Sequence, residues 1–191
     1  MGKKSFNKVF KEKQRELISE REEKDQDFSS RRKLIFGLLT VVFISRVIYA
    51  ITQFVFLKVY DFPTRSREIP MLIFMIAFLF LFCIMIYSTG FKPAVYLVLA
   101  GGLWSLLNAY RFGIFFMLNT AVVFINARNI IFVTTIFLQI FVALFILVNK
   151  KSRGYMDSMA MIRTNMVTWW KDYLEKAKEG DQVTPEKTDE C

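Results

Sequence analysis

The chain has 191 residues, of which 54% are hydrophobic and 21 are phenylalanine, and 26 basic and 17 acidic residues give it a formal net charge of +9. Only nine charged residues fall between residues 34 and 149, far fewer than a soluble domain of that length carries. These numbers exclude an ordinary soluble domain, a disordered chain, a collagen and a disulfide-rich secreted scaffold. They predict a small polytopic membrane protein with charged tails.

The first predicted element, residues 1–33, is a charged helix that we expect in the cytoplasm. Its apolar residues recur at helical spacing along one thin stripe: Phe6, Val9, Phe10 and Leu17. Acidic and basic residues three or four positions apart cover the rest of the helix. Two interpretations stay open, a water-facing spacer or a stripe that lies on the membrane or docks a partner helix.

Four apolar segments predict an all-α membrane bundle with about four transmembrane helices. They cover residues 34–57, 69–89, 93–110 and 129–149, and together with their connections they form one transmembrane domain, residues 34–149. At 1.5 Å per residue, segments of this length match a hydrocarbon core about 30 Å thick. Pro70 fits the first turn of the second helix, and Gly90 with Pro93 predicts a tight turn before the third.

Residues 111–128 do not fit a simple span. The uncharged stretch is short, it contains three polar residues, and only Arg111 separates it from the third span, so there is no loop for a hairpin. One interpretation makes the segment an extension of the third span, partly interfacial or re-entrant. The other makes it a separate short span.

The C-terminal part divides into an amphipathic helix, residues 150–179, and a polar tail, residues 180–191, that we expect to be disordered. Apolar residues follow helical spacing in the first part: Tyr155, Met159, Ile162, Met166, Trp169 or Trp170, and Tyr173. Tryptophan and tyrosine beside lysines are typical of a helix that lies at the headgroup level. We therefore predict a cytoplasmic, interfacial helix.

Basic clusters set the expected orientation. With four spans both termini lie in the cytoplasm, which places the clusters at residues 31–33 and 150–153 inside, as the positive-inside rule requires. Five spans would place the second cluster outside. We predict an integral protein of the plasma membrane that binds anionic lipid headgroups through interfacial residues. These residues are Arg31, Arg32, Lys33, Lys150, Lys151, Trp169 and Trp170.

The sequence lacks the residues on which most catalytic and metal sites depend. It contains no histidine, and its two cysteines are Cys83, inside the second predicted span, and Cys191. The four predicted spans contain no Asp or Glu, so an intramembrane aspartyl site or a carboxylate-coupled ion pathway has no group to use. We therefore predict no metal site, no cofactor and no enzymatic activity.

Arg46 is the one charge inside a span that loops and interfaces do not explain. An arginine near the middle of the bilayer costs about 2.5 to 3.5 kcal/mol on insertion scales, and its guanidinium needs hydrogen-bond acceptors. Three interpretations are open: a structural role with neighbouring amides, a carboxylate supplied by another subunit's span, or an anionic ligand or lipid headgroup within the bundle. The predicted binding residues are Arg46, Asn108, Arg111 and Gln139.

The predicted function is that of an accessory, regulatory or assembly subunit of a membrane complex. Its partners would be membrane lipids and either another membrane protein or further copies of the chain, and not nucleic acid. A first alternative is a small transporter or channel component that handles an anionic or polar solute through Arg46 and the asparagine-rich residues 108–129. A second alternative is an immunity-type protein that acts against a membrane-active toxin.

Overall fold

The computed structural model describes residues 6–59, 65–111, 113–114 and 123–181, and the regular structure within these ranges is helical throughout. The helices are α1 (Phe6–Lys24), α2 (Gln26–Val59), α3 (Arg65–Thr89), α4 (Lys92–Arg111), α5 (Val123–Val148) and α6 (Lys150–Asp181). Helices α2, α3, α4 and α5 contain segments long and apolar enough to cross a membrane. The prediction of an all-α polytopic membrane protein is confirmed in the number of candidate spans and in the helical structure of the described residues.

Helices α1 and α2 are separated by a single residue, Asp25. Its Oδ1 accepts a hydrogen bond from the Asp27 N–H at 3.1 Å, so the carboxylate satisfies one of the backbone donors that every helix start leaves free. Because α2 begins at Gln26, the basic residues 31–33 belong to the same helix as the first apolar segment. Their positions relative to that segment are therefore fixed by helical geometry.

The four apolar helices form a ring in which α2 contacts α3, α3 contacts α4, α4 contacts α5 and α5 contacts α2. One end of the ring is capped by α6, which contacts α2, α3 and α5, and by α1, which contacts α2 and α6. Contacts at that end join the start of α2, the end of α3 and the start of α4 to α6. The chain therefore passes up and down the bundle and returns to the same end.

A glycine shapes the turn between α3 and α4. Gly90 has φ +61°, a left-handed conformation that other residues adopt at a cost, and its N–H donates to the Ile86 carbonyl at 3.1 Å. A Cβ at this position would lie 2.5 Å from the Met156 carbonyl oxygen and 2.7 Å from the Met159 Cβ. Gly90 therefore both closes the helix and lets α6 lie against the turn.

Helix α6 follows α5 after one residue, Asn149, whose Oδ1 accepts the N–H groups of Lys151 and Ser152. The apolar stripe of its first half is buried against the bundle: Tyr155, Met156, Met159, Ile162 and Met166. The Tyr155 hydroxyl donates to the Tyr87 carbonyl in the last turn of α3. Burial raises the pKa of the Tyr155 hydroxyl, which keeps it a proton donor. Protein, rather than lipid, covers this half of the stripe.

Two predicted segments fall largely outside the described residues. Of residues 111–128, the structure describes Arg111, residues 113–114 and the first part of α5. Of residues 180–191, it describes the last two residues of α6. Both interpretations of residues 111–128, an extension of the third span or a separate short span, and the disordered tail therefore stay predictions.

Candidate functional site

Arg46 lies in the middle of the buried face of α2, although it is charged. The buried residues of this helix recur at intervals of three, four and seven: Ile35, Leu39, Val42, Arg46 and Gln53. This spacing places one face of the helix toward the ring interior. Arg46 occupies a core position on that face, and only 6% of its surface is exposed.

A glutamine from α5 holds the guanidinium in place. The Nε–H of Arg46 donates to Gln139 Oε1 at 2.8 Å, and the Gln139 Nε2 donates to the Val98 carbonyl oxygen of α4 at 2.7 Å. Both ends of the amide are therefore used, and the second bond fixes which end faces the arginine. Arg46 in this way connects α2 to α5 and, through Gln139, to α4.

Glycines let α4 and α5 approach closely enough for this connection. A Cβ on Gly102 would lie 2.8 Å from Ile140 Cγ1, and a Cβ on Gly101 would lie 3.5 Å from Gln139 Nε2. Gly102 is therefore used for helix packing, as small residues in membrane helices commonly are, whereas Gly101 stays exposed. With the helices this close, the Gln139 side chain reaches the backbone of α4.

The remaining end of the guanidinium has no acceptor among the described residues. Arg46 Nη1 is buried and makes no hydrogen bond there. The Arg46 side chain lines a cavity of about 350 Å³. Polar lining comes from Arg46, Tyr49, Ser105 and Gln139, and the walls are otherwise apolar residues, mostly of α3 and α4. The cavity, which we call the Arg46 cavity, therefore combines a buried cation with an apolar surround.

The Arg46 cavity opens sideways between α3 and α4. Its rim includes Met71 and Phe74 of α3 and Trp104 of α4, which are 65%, 62% and 66% exposed on the outer surface of the ring. In a bilayer this surface faces the hydrocarbon core, so a ligand would enter from the membrane rather than from water. The occupant that fits this opening is an apolar body that carries one acceptor group.

The structure brings together two of the four predicted binding residues. Gln139 binds Arg46 directly, whereas Asn108 and Arg111 lie at the end of α4 and do not belong to the lining of the Arg46 cavity. Gln53, a further amide on the buried face of α2, donates to Glu68 Oε2 at 3.0 Å and does not line the cavity. The polar side chains are thus divided between the Arg46 cavity and the end of the bundle opposite the one that α1 and α6 cap.

The residues predicted at the lipid interface lie in the first turns of α2 and along α6: Arg31, Arg32, Lys33, Lys150, Lys151, Trp169 and Trp170. Arg31 pairs with Asp25 at 3.2 Å and Arg32 with Glu22 at 3.1 Å. The three lysines are exposed. Trp169 and Trp170 are half-buried and stack with Tyr173. The arginines therefore already have carboxylate partners, while the lysines present their charge to the surroundings.

Sequence reasoning missed the wall that α3 contributes to the Arg46 cavity. Nothing in an uncharged helix distinguishes a cavity wall from a lipid-facing surface. A signal was present in α4, where Gly101 and Ser105 are four residues apart and so share one face. Both line the cavity.

In the part of the chain that the structure describes, no three metal-ligating side chains come together. No protein-family model, curated protein or solved structure matches the chain. The function is therefore argued from the Arg46 cavity and from the arrangement of the helices.

Proposed function

We propose that this protein is a non-enzymatic subunit of a membrane complex, with an accessory, regulatory or assembly role, and that it binds a partner through its spans. The observation that carries the proposal is the buried Arg46 Nη1, which has no acceptor among the described residues, on a side chain that lines a cavity open to the membrane. The partner would supply a carboxylate from one of its own transmembrane helices.

A spanning carboxylate is the group that the guanidinium lacks. Removing one partner from a buried ion pair costs on the order of 3–5 kcal/mol, because a charge is left uncompensated in a medium of low dielectric. Arginine binds carboxylates through paired N–H groups, and Gln139 occupies only the Nε–H side of the Arg46 fork. A partner carboxylate at Nη1 would relieve this cost and would give the complex its specificity.

Small residues on α4 support a helix as the occupant. Gly101 is exposed, and a Cβ added there would meet only Gln139 Nε2, so the space in front of it is open. Ser105 lies one turn further along the same face, and its hydroxyl donates to the Gly101 carbonyl rather than into the cavity. Pairs of small residues four apart let another backbone approach closely within a membrane.

The partner is a different protein rather than a second copy. The four predicted spans of this chain contain no Asp or Glu. The carboxylates of α2 and α3, Asp27 and Glu68, lie in the first turns of these helices. A homo-oligomer therefore has no carboxylate near the middle of a span to offer Arg46, and a partner of other sequence fits better.

The location proposed for the complex is the plasma membrane, with both termini in the cytoplasm. Helices α1 and α6 contact each other at one end of the ring, which supports an even number of spans. The basic residues at that end favour the cytoplasmic side. Beyond Met166, the second half of α6 carries exposed lysine and the stacked Trp169, Trp170 and Tyr173, which suits an interfacial position.

The transporter alternative has weaker support. The walls of the Arg46 cavity are largely apolar, so a hydrated anion would lose its water for few replacement hydrogen bonds. Asn108 and Arg111 do not line the Arg46 cavity. The polar residues that do line it therefore do not form a path from Arg46 to these two side chains. A role as an immunity protein stays a prediction from the sequence.

The proposal is tested by purifying the tagged full-length chain from its native membranes in mild detergent. A membrane protein with an Asp or Glu in a transmembrane helix should co-purify with the wild type. Arg46→Gln should reduce its recovery at least tenfold, which corresponds to about 1.4 kcal/mol. Lys58→Gln removes one positive charge at an exposed position in the last turn of α2 and should leave recovery unchanged.

A steric pair of variants provides the second arm of the test. Gly101→Leu places a side chain in the open cavity and should abolish co-purification, whereas Ala100→Leu adds the same bulk at the adjacent exposed position and should not. Recovery of the wild type as a lone monomer would contradict the proposal.

A further inference from the structure

A second cavity lies where α1, α2, α3 and α6 meet, and we propose that it binds the phosphate of an anionic lipid headgroup. Its volume is about 270 Å³, and the lining residues that matter are Lys11, Arg15, Arg32, Tyr87, Ser88 and Tyr155. We call it the headgroup cavity. The inference stands independently of the partner proposed for Arg46, because the two cavities share no residue.

The charge of the headgroup cavity favours an anion. Lys11, Arg15 and Arg32 line it, and no carboxylate does. Lys11 and Arg15 make no ion pair with any residue whose placement the structure gives, although acidic residues are plentiful in α1. Two cations on α1 thus lie four residues apart on one face, opposite a third cation on α2.

Arg32 is held rigidly at the inner side of the headgroup cavity. Its Nε–H donates to the Tyr87 hydroxyl at 3.0 Å, and its guanidinium carbon lies 5.5 Å from the centre of the Tyr87 ring. Nη1 donates to Glu22 at 3.1 Å, and Glu22 lines a neighbouring cavity rather than this one. A guanidinium has five N–H groups, so these two bonds orient it without using its full capacity.

The position of the headgroup cavity favours a lipid over a soluble phosphate. Tyr87 and Ser88 belong to the last turn of α3, a candidate span that ends at Thr89. One turn beyond Arg32, Phe36 is 56% exposed on the outer surface of α2 and packs against Tyr87 with ring centres 5.5 Å apart. Phe36 lines the neighbouring cavity, which shares Arg32 and Tyr87 with this one. Arg32 therefore lies directly above a lipid-facing apolar surface, where a headgroup and the start of its acyl chain would lie.

The two cations of α1 distinguish this site from general attraction to the membrane. The basic residues 31–33 would attract anionic lipid from any position on the helix surface. Lys11 and Arg15 contribute only because α1 folds back along α2 and α6. Removal of these two charges therefore tests the cavity itself.

The test measures lipid retention by native mass spectrometry of the full-length protein in detergent, with phosphatidylglycerol or phosphatidylcholine of matched acyl chains. The wild type should retain phosphatidylglycerol preferentially. The variant Lys11→Gln/Arg15→Gln should bind it about 25-fold more weakly, from about fivefold per basic residue. The matched control Lys24→Gln/Lys171→Gln removes two charges from exposed positions on α1 and α6 and should bind like the wild type.

Further measurements separate the remaining outcomes. Arg15→Lys keeps the charge and should retain at least part of the affinity, which guards against a variant that fails to fold. Equal weakening in both double variants would show diffuse attraction and would overturn the proposal. Displacement of the lipid by millimolar inorganic phosphate or glycerol phosphate would assign the cavity to a soluble phosphate compound and would likewise overturn it.

Discussion

At the scale of single residues, Gln139 determines how the bundle accommodates Arg46. Its Oε1 accepts from the guanidinium while its Nε2 is held by the Val98 carbonyl, so the acceptor cannot rotate away. This arrangement leaves Nη1 without an acceptor among the described residues. The same amide therefore stabilises the free protein and, in the proposed complex, would orient the cation toward the partner's carboxylate.

A double-mutant cycle measures this pair. Gln139→Leu should lower the free energy of unfolding by about 1 to 3 kcal/mol, because a buried guanidinium loses its acceptor and Val98 loses its donor. Combining it with Arg46→Leu should restore part of that stability, since both polar groups are then gone. The measurement is reversible unfolding in mixed micelles. If the double variant lost as much unfolding free energy as the two single variants lose together, this result would contradict the coupling.

The identity of the important arginine could be predicted from the sequence, but its environment could not. Arg46 stands out because it is the one charge inside an otherwise apolar segment, and Gln139 is among the few amides in the spans. Asn108 and Arg111 looked equivalent by composition. Only the pairing of α2 with α5 and α4 with α5 decides which amide reaches the guanidinium, and pairing between helices leaves no local signal in the sequence.

At the scale of helices, the turn between α3 and α4 controls the docking of α6. Gly90 closes α3 in a left-handed conformation and lies directly beneath the backbone of Met156. Replacing Gly90 by any other residue therefore strains the turn and pushes α6 away. The buried hydroxyl of Tyr155, bound to the Tyr87 carbonyl, adds a polar contact at the same junction.

Gly90→Ala should accordingly destabilise the docked α6. The left-handed conformation costs about 1 to 2 kcal/mol for a residue with a Cβ, and the 2.5 Å approach to Met156 adds to this. Gly37→Ala is the matched control, because no atom lies within 4 Å of a Cβ there and α2 is helical throughout. Faster proteolysis of α6 in Gly90→Ala but not in Gly37→Ala is the expected result. Equal protection in both would show that the contact does not hold α6.

The apolar stripe of α6 shows where a sequence pattern reaches its limit. Its spacing predicts an amphipathic helix, which is what the structure contains. The pattern does not show whether the stripe faces lipid or protein, since apolar side chains are favourable in both environments. Tyr155, Met159, Ile162 and Met166 are buried by the ends of α2, α3 and α5, and this depends on a one-residue turn at Asn149 that redirects the chain.

At the scale of the whole molecule, the ring of four helices has a capped end and an open side. Helices α1 and α6 cover the end at which both basic clusters lie, and the headgroup cavity is found there. The Arg46 cavity instead opens between α3 and α4 toward the membrane. One surface thus suits lipid headgroups and the other suits a helix, which is the division expected of a subunit that joins a larger membrane complex.

The most direct test of the central claim is photo-crosslinking in native membranes from the side of the ring. Benzoylphenylalanine replaces Trp104, on the rim of the Arg46 cavity, or Phe141, an aromatic residue of similar exposure on α5 that is not part of that cavity. Position 104 should give an adduct with a transmembrane helix of another protein that contains Asp or Glu, and Arg46→Gln should abolish it. Adducts with lipid alone, or equal protein adducts from both positions, would contradict the claim.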